Sequence, residues 1–260
     1  MSDVILKTEN LTIKFGGLTA VSDFNMAAKQ GRITSLIGPN GAGKTTLFNI
    51  VTGFYKPTSG KVIFDGQDIT GMKPHEVCKA GIARTFQNIR LFSGGTVLQN
   101  VVTACWVRQS SQWWTAPLML PGYRREEREI HEKSMRLLES VGLAGMADEV
   151  ATGLPYGAQR RLEIARALAT EPKFLLLDEP AAGMNPQESG ELMDFIRQIR
   201  DKFKLTILLI EHDMKVVMGV SEYIRVLDYG ILIAEGTPDE IRSNPRVIEA
   251  YLGKGAAANA

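Results

Sequence analysis

Cysteine is scarce: the 260 residues hold two, Cys78 and Cys105. They show neither metal-site spacing nor a disulfide framework, which excludes a stapled secreted scaffold and suits a reducing compartment. Neither sign of charge is in excess, since 30 basic and 29 acidic residues leave a net +1. Broad electrostatic attraction to nucleic acid is therefore absent, and no nucleic-acid partner is expected. No apolar run approaches the ~20 residues of a spanning helix, so work at a membrane would need another chain to cross it. Residues 1–7 lack a basic stretch followed by an apolar core, and no signal peptide is expected. The length allows one large domain, or a domain with an insert, around a real core.

The most informative stretch is Gly38-Pro39-Asn40-Gly41-Ala42-Gly43-Lys44-Thr45, which fills G-x-x-x-x-G-K-[ST] at every fixed position. Residues 32–37 before it read as a strand, and Thr46 opens a helical stretch closed by Gly53. Strand, glycine-rich loop and helix form the setting of a phosphate-binding loop. Its backbone N–H groups curl around phosphate oxygens, and the helix N-terminus favours the same negative charge. Lys44 is expected to reach the β- and γ-phosphates of a nucleoside triphosphate, and the Thr45 hydroxyl to hold Mg²⁺.

Upstream, residues 4–15 and 21–26 are β-rich and flank Gly16-Gly17, so they read as paired strands. Phe15 ends the first of them, and two readings stand: stacking on an adenine ring, or burial in the core. Residues 82–86 form another strand candidate ending at Gln87, whose role the pattern alone does not give. From about Thr103 the periodicity is lost. Trp106, Trp113 and Trp114 lie among Ser, Gln and Pro up to Pro121-Gly122, which reads as an inserted loop over 103–125. Its aromatics face a partner or cover an apolar patch of the same chain. Helix returns after Arg124, with Ile130, Ser134, Leu137, Leu138 and Val141 on one face. Leu154-Pro155-Tyr156-Gly157-Ala158 then forms a glycine-bearing turn feeding a helix from Arg160, a second potential anion site.

Phe174-Leu175-Leu176-Leu177-Asp178-Glu179 is an apolar run ending in two carboxylates. Continuous apolarity fits a central parallel strand buried on both faces. Open α/β sheets bind ligands at the C-terminal ends of such strands, where Asp178 is placed to hold Mg²⁺. Glu179 beside it suits a general base that polarises water. Residues 205–210 repeat the pattern and end in Glu211-His212-Asp213, putting His212 within reach of a γ-phosphate, although a histidine there also serves structure.

Together and in this order, these residues resemble the ATPase cassettes of ABC transporters over essentially the whole chain. The resemblance implies an α/β fold of the P-loop NTPase type: a RecA-like core, an N-terminal antiparallel β subdomain and an inserted α-helical subdomain. The implied division is 1–87 with 171–240 for the core and β subdomain, 88–170 for the helical part, and 241–260 for a C-terminal helix and tail. It makes Phe15 the adenine-stacking aromatic and Gly38–Thr45 the Walker A loop, with ATP bound through Gly38, Pro39, Asn40, Gly41, Ala42, Gly43, Lys44, Thr45 and the following Thr46. Gln87 becomes the Q-loop residue that touches Mg²⁺ and the groove for a membrane subunit. Asp178 becomes the Walker B aspartate, Glu179 the catalytic glutamate and His212 the switch histidine.

Two places depart from that pattern. The usual Leu-Ser-Gly-Gly-Gln signature, which faces the partner's ATP in a head-to-tail dimer, is here Leu154, Pro155, Tyr156, Gly157 and Ala158. Pro155 has neither hydroxyl nor N–H to offer a phosphate. The aspartate of the next loop is Asn185. A weak site built on 154–158 suits a heterodimer of two different cassettes. Lys14-Phe15-Gly16-Gly17-Leu18, Thr85-Phe86-Gln87, the tryptophan-bearing insert, Arg160-Arg161-Leu162-Glu163-Ile164-Ala165-Arg166 and residues 179–186 more closely resemble the LivG-type ATPase of bacterial branched-chain amino acid importers. That likeness implies two permease subunits, a periplasmic binding protein, and a peripheral place on the cytoplasmic face of the inner membrane. Lipopolysaccharide-export cassettes look similar around 156–166 but act as homodimers. Soluble ABC ATPases carry coiled-coil arms or paired cassettes, for which the sequence shows no sustained heptads.

Overall fold

The computed structural model describes residues 3–108 and 121–252, the side chains of 121–123 and 252 excepted. They form two compact units, Met1–Arg84 with Lys173–Ala260, and Thr85–Pro172.

In the first unit, β1 (Val4–Phe15) and β2 (Leu18–Lys29) pair antiparallel across Gly16-Gly17. β3 (Ile33–Ile37) leads into α1 (Lys44–Val51), followed by β4 (Ser59–Phe64), β5 (Gln67–Asp68), α2 (Pro74–Ala80) and β6 (Ile82–Arg84). The second unit holds α3 (Val97–Cys105), α4 (Pro121–Ser140) and α5 (Tyr156–Ala169). The chain then returns to the first unit with β7 (Phe174–Asp178), α6 (Pro186–Phe203), β8 (Thr206–Ile210) and α7 (Met214–Val220). It ends with the hairpin β9 (Tyr223–Asp228) and β10 (Ile231–Gly236), then α8 (Pro238–Arg242) and α9 (Pro245–Leu252).

Two sheets result: β2-β1-β4-β5, antiparallel, and β10-β9-β3-β8-β7-β6, parallel from β9 to β6. Every residue of β3, β7 and β8 is buried, which is why these strands read as unbroken apolar runs. Because β3, β8, β7 and β6 are parallel neighbours, their C-terminal ends share one edge. That edge carries the glycine-rich loop, Glu211-His212, Asp178-Glu179 and Arg84.

Several boundaries differ from the sequence reading. The strand expected over 82–86 stops at Arg84, because the Phe86 N–H and carbonyl turn to side chains of α5 instead of a ladder. Both described ends of the insert expected over 103–125 are helical. Thr103 to Cys105 complete α3, which starts on a Thr96/Gln99 capping box, and residues 106–108 form a 3-10 turn. α4 opens at Pro121, whose fixed φ suits a first helical position. Trp113 and Trp114 lie outside the described residues, as does the tail beyond 252. α5 begins at Tyr156, not Arg160, with Pro155 as its N-cap. The inward face expected for α4 is observed: Ile130, Ser134, Leu137, Leu138 and Val141 are all buried.

Candidate functional site

The glycine-rich loop starts where β3 ends. A Cβ on Gly38 would fall 1.9 Å from the Leu227 carbonyl of β9, so only glycine lets the loop leave the sheet there. Gly43, left-handed at φ 100, caps α1 with no side-chain hydrogen bond, and a Cβ on it would lie 2.5 Å from the Ala20 carbonyl. The loop thus presents backbone along its length. Lys44 is buried and donates from Nζ to the carbonyls of Gly38 (2.6 Å) and Pro39 (2.9 Å). Burial pulls its pKa below the usual lysine value, while the nearby carboxylates of Glu179 and Asp178 oppose that shift.

A cleft of about 450 Å³ opens beside the loop, lined by residues 40–46, Phe15, Leu18, Glu179 and Tyr229. Phe15 is 45% exposed, which removes the core reading for this residue. Its ring meets Tyr55 edge-on, with centroids 5.3 Å apart. Tyr229, 85% exposed and left-handed at φ 44, joins the lining unforeseen; no sequence pattern marks a tyrosine in such a turn.

Glu179 also takes a left-handed backbone (φ 47), rare for a residue with a side chain. Its N–H donates to the Ile210 carbonyl at 2.9 Å, and Oε2 lies 3.6 Å from His212 Nδ1. His212 is largely exposed, whereas Glu211 is buried. Glu211 accepts the N–H groups of Ala181 (2.8 Å) and His212 (3.2 Å), which fixes the turns carrying both neighbours. Burial raises the Glu211 pKa, and those same hydrogen bonds work against the rise.

Asp178 sits at the end of β7, where Arg84 Nη2 donates to its Oδ2 at 2.7 Å and both side chains are 6% exposed. Arg84 Nη1 also donates to Asn49 Oδ1 at 2.6 Å, and the guanidinium lies 5.4 Å from the Phe48 ring centroid. Arg84 was not singled out from the sequence; the only signal is a lone cation inside a strand candidate. Removing one member of a buried pair leaves the other charge uncompensated, at about 3–5 kcal/mol. Arg84→Met is therefore expected to lower the melting temperature by roughly 10 °C. Thermal denaturation checks this, and a wild-type melting temperature would show that the pair contributes nothing.

Asn185 serves as the N-cap of α6, accepting the Glu188 N–H at 3.0 Å and receiving Glu188 Oε2 on its own N–H. The remaining sequence-predicted residues lie in the second unit. Leu154 is buried, Pro155 caps α5 without a side-chain hydrogen bond, and Tyr156, 43% exposed, opens the helix ahead of Gly157 and Ala158. The Gln87 carbonyl accepts from Arg160 Nη2 at 3.0 Å.

The cleft fits a nucleoside triphosphate: a glycine-rich loop whose path at Gly38 and Gly43 only glycine allows, a buried lysine and an exposed aromatic. For Mg²⁺, Thr45 and Asp178 offer hard oxygen donors, and Asp178 already faces a cationic partner in Arg84. Among the described residues no cluster of three or more His, Cys, Asp or Glu is placed to hold a metal. One carboxylate and a hydroxyl suit a cation that takes its other ligands from phosphates and water.

A family model described as ABC transporter matches residues 21–182, and one described as branched-chain amino acid ATP-binding cassette transporter matches residues 232–257. The high-affinity branched-chain amino acid transport ATP-binding protein BraF of Pseudomonas aeruginosa is 47% identical, over 98% of this chain and 100% of its own length. The corresponding LivG protein of Escherichia coli is 46% identical over the same shares. Among solved structures, an ATP-binding cassette of an ABC transporter in its ADP conformation superposes with a TM-score of 0.84. It is 33% identical, and the match covers 97% of this chain and 100% of that one.

Proposed function

Because this chain belongs to the ABC transporter family of ATP-binding proteins, we propose that its ATP hydrolysis drives import of branched-chain amino acids, leucine, isoleucine and valine, through partner permeases. The observation that carries the reading is near-half identity to BraF and LivG across their full lengths, joined to the branched-chain match at 232–257. As an ATP-binding subunit of a transport system the chain associates peripherally with a membrane, and among the described residues no helix is long and apolar enough to cross one. The finer assignments are two different permeases, a periplasmic binding protein, a second and different cassette, and a place on the cytoplasmic face of the inner membrane.

In this reading ATP occupies the cleft with Phe15 against adenine and residues 38–46 around the phosphates. Lys44 leaves the Gly38 and Pro39 carbonyls for the β- and γ-phosphates, exchanging two neutral acceptors for charged ones. Thr45, Asp178 and Gln87 are the residues that would hold Mg²⁺, which when bound spreads the charge of the β- and γ-phosphate oxygens. Glu179 orients the attacking water and accepts its proton, and His212 beside it contacts the γ-phosphate. Pro155, Tyr156, Gly157 and Ala158 face the ATP held by the second cassette, with Leu154 buried behind them, and Asn185 lies in the loop between the two sites. Closure and reopening move the Gln87 segment, which passes the motion to the permease.

The test is to solubilise membranes gently, purify this chain and identify its companions by mass spectrometry, then reconstitute the complex in liposomes. A second cassette type, two permeases and ATP-dependent leucine uptake are expected. A single cassette type with lipid-export subunits, or no membrane subunit, would remove the importer.

A further inference from the structure

Arg160, Glu163 and Arg166 recur every third residue along α5, which places them on one side of the helix. That side faces residues 86–92 of the same unit. Arg160, with no exposed surface, donates from Nη1 to the Phe86 carbonyl (2.9 Å) and from Nη2 to the Gln87 carbonyl (3.0 Å). The same guanidinium donates to Glu163 Oε2 at 2.8 Å and to the Tyr156 hydroxyl at 3.1 Å. Glu163 Oε1 accepts the Phe86 N–H at 3.2 Å, and the carboxylate also takes the Arg90 N–H. Arg166 donates to the Arg90 carbonyl and covers the Phe92 ring at 4.6 Å. Arg90 in turn lies 4.3 Å over the Phe86 ring.

Stability does not explain this arrangement. Burial works against it, raising the Glu163 pKa and lowering that of Arg166. Arg160 and Arg166 each bury an Nε with no partner, and well-packed apolar side chains commonly hold such a position as well or better. What ions give instead is a fixed register between a helix and a loop that makes no ladder of its own.

We propose that the Arg160–Glu163–Arg166 stripe is a rigid coupling that makes the backbone at Gln87 follow the first turn of α5. Displacement at Tyr156 then reaches Gln87 without slack. The three residues are positioning residues; none is among those that line the nucleotide cleft. Tyr156, which departs from the family's glycine, takes part as an acceptor for Arg160. The proposal rests on the reading of 154–158 as partner-facing and of Gln87 as the permease-side contact.

The test uses Arg160→Lys, which keeps a charge beside Glu163 but loses the planar fork, and Arg166→Lys at the partly buried end of the stripe, where folding is less at risk than at the fully buried Arg160. In the nucleotide-free chain, amide exchange at Phe86 and Arg90 is expected to rise about ten-fold in Arg160→Lys, with β7 exchange unchanged. In the reconstituted transporter both variants should keep wild-type ATP affinity and lower the leucine moved per ATP hydrolysed by several-fold, Arg160→Lys more. A merely structural defect would lower hydrolysis and transport together. Unchanged exchange at Phe86 and Arg90, or an unchanged leucine-to-ATP ratio, overturns the coupling. If instead the wild-type complex moves no leucine, the import reading fails, and exchange in the isolated chain still decides whether the stripe holds the segment.

Discussion

Glu179→Gln is expected to bind ATP, hold the paired cassettes closed and lose turnover by about 10²- to 10⁴-fold, the range a positioned general base supplies. The substitution keeps side-chain volume and the backbone conformation at φ 47, so the Glu179 N–H keeps its bond to the Ile210 carbonyl. It removes only the negative charge and the basic oxygen beside His212. Among the described residues no neighbouring carboxylate is placed to take over: Glu211 is buried and committed to the Ala181 and His212 N–H groups, and Asp178 is held by Arg84. Single-turnover hydrolysis, measured with nucleotide trapping in the reconstituted transporter, separates the two steps. Hydrolysis retained at wild-type rate would reassign the base.

The second large effect is expected at Lys44. Charge-assisted hydrogen bonds contribute about 1.5–3 kcal/mol, so Lys44→Ala should weaken ATP binding by about ten- to a hundred-fold. The structure adds a direction to this. Lys44 is desolvated, and the carboxylates of Glu179 and Asp178 partly offset that burial, so the site gains most when phosphate replaces the loop carbonyls around Nζ. In the assembled transporter the loss of turnover should exceed that of the equivalent lysine change in the second cassette. The site on this chain has its lysine, glutamate and histidine. In the proposed pairing the opposite site would borrow Pro155 and Tyr156, and Pro155 offers no side-chain hydrogen bond at the helix end. Equal losses in the two cassettes would overturn the asymmetry.

What the sequence made legible is what local patterns encode. The buried strand Phe174–Asp178 showed itself by continuous apolarity, and α4 by Ile130, Ser134, Leu137 and Leu138 returning on one face, all of them buried. The glycine-rich loop was visible because its chemistry lies in backbone that only certain residues leave open. Arg84 was not legible. It acquires a partner only because β6 runs parallel to β7 with Arg84 opposite Leu176, which brings Asp178 within reach. That is a fact of strand pairing, absent from either strand alone. The polar stripe of α5 was visible as charge but not as function, since helical periodicity gives a face without saying what lies against it. The start of α5 was misplaced for a local reason: Pro155 and Gly157 look like a turn, yet proline suits an N-cap whose own N–H would go unused.

The left-handed backbone at Glu179 bears on how such cassettes diverge. Glycine there would relieve about 1 kcal/mol of backbone strain and add about as much chain entropy to the unfolded state. The backbone there therefore leaves folding with little preference between glutamate and glycine. If Glu179 has the proposed role, one substitution to glycine would turn a cleaving cassette into one that only binds nucleotide, at little cost to its stability.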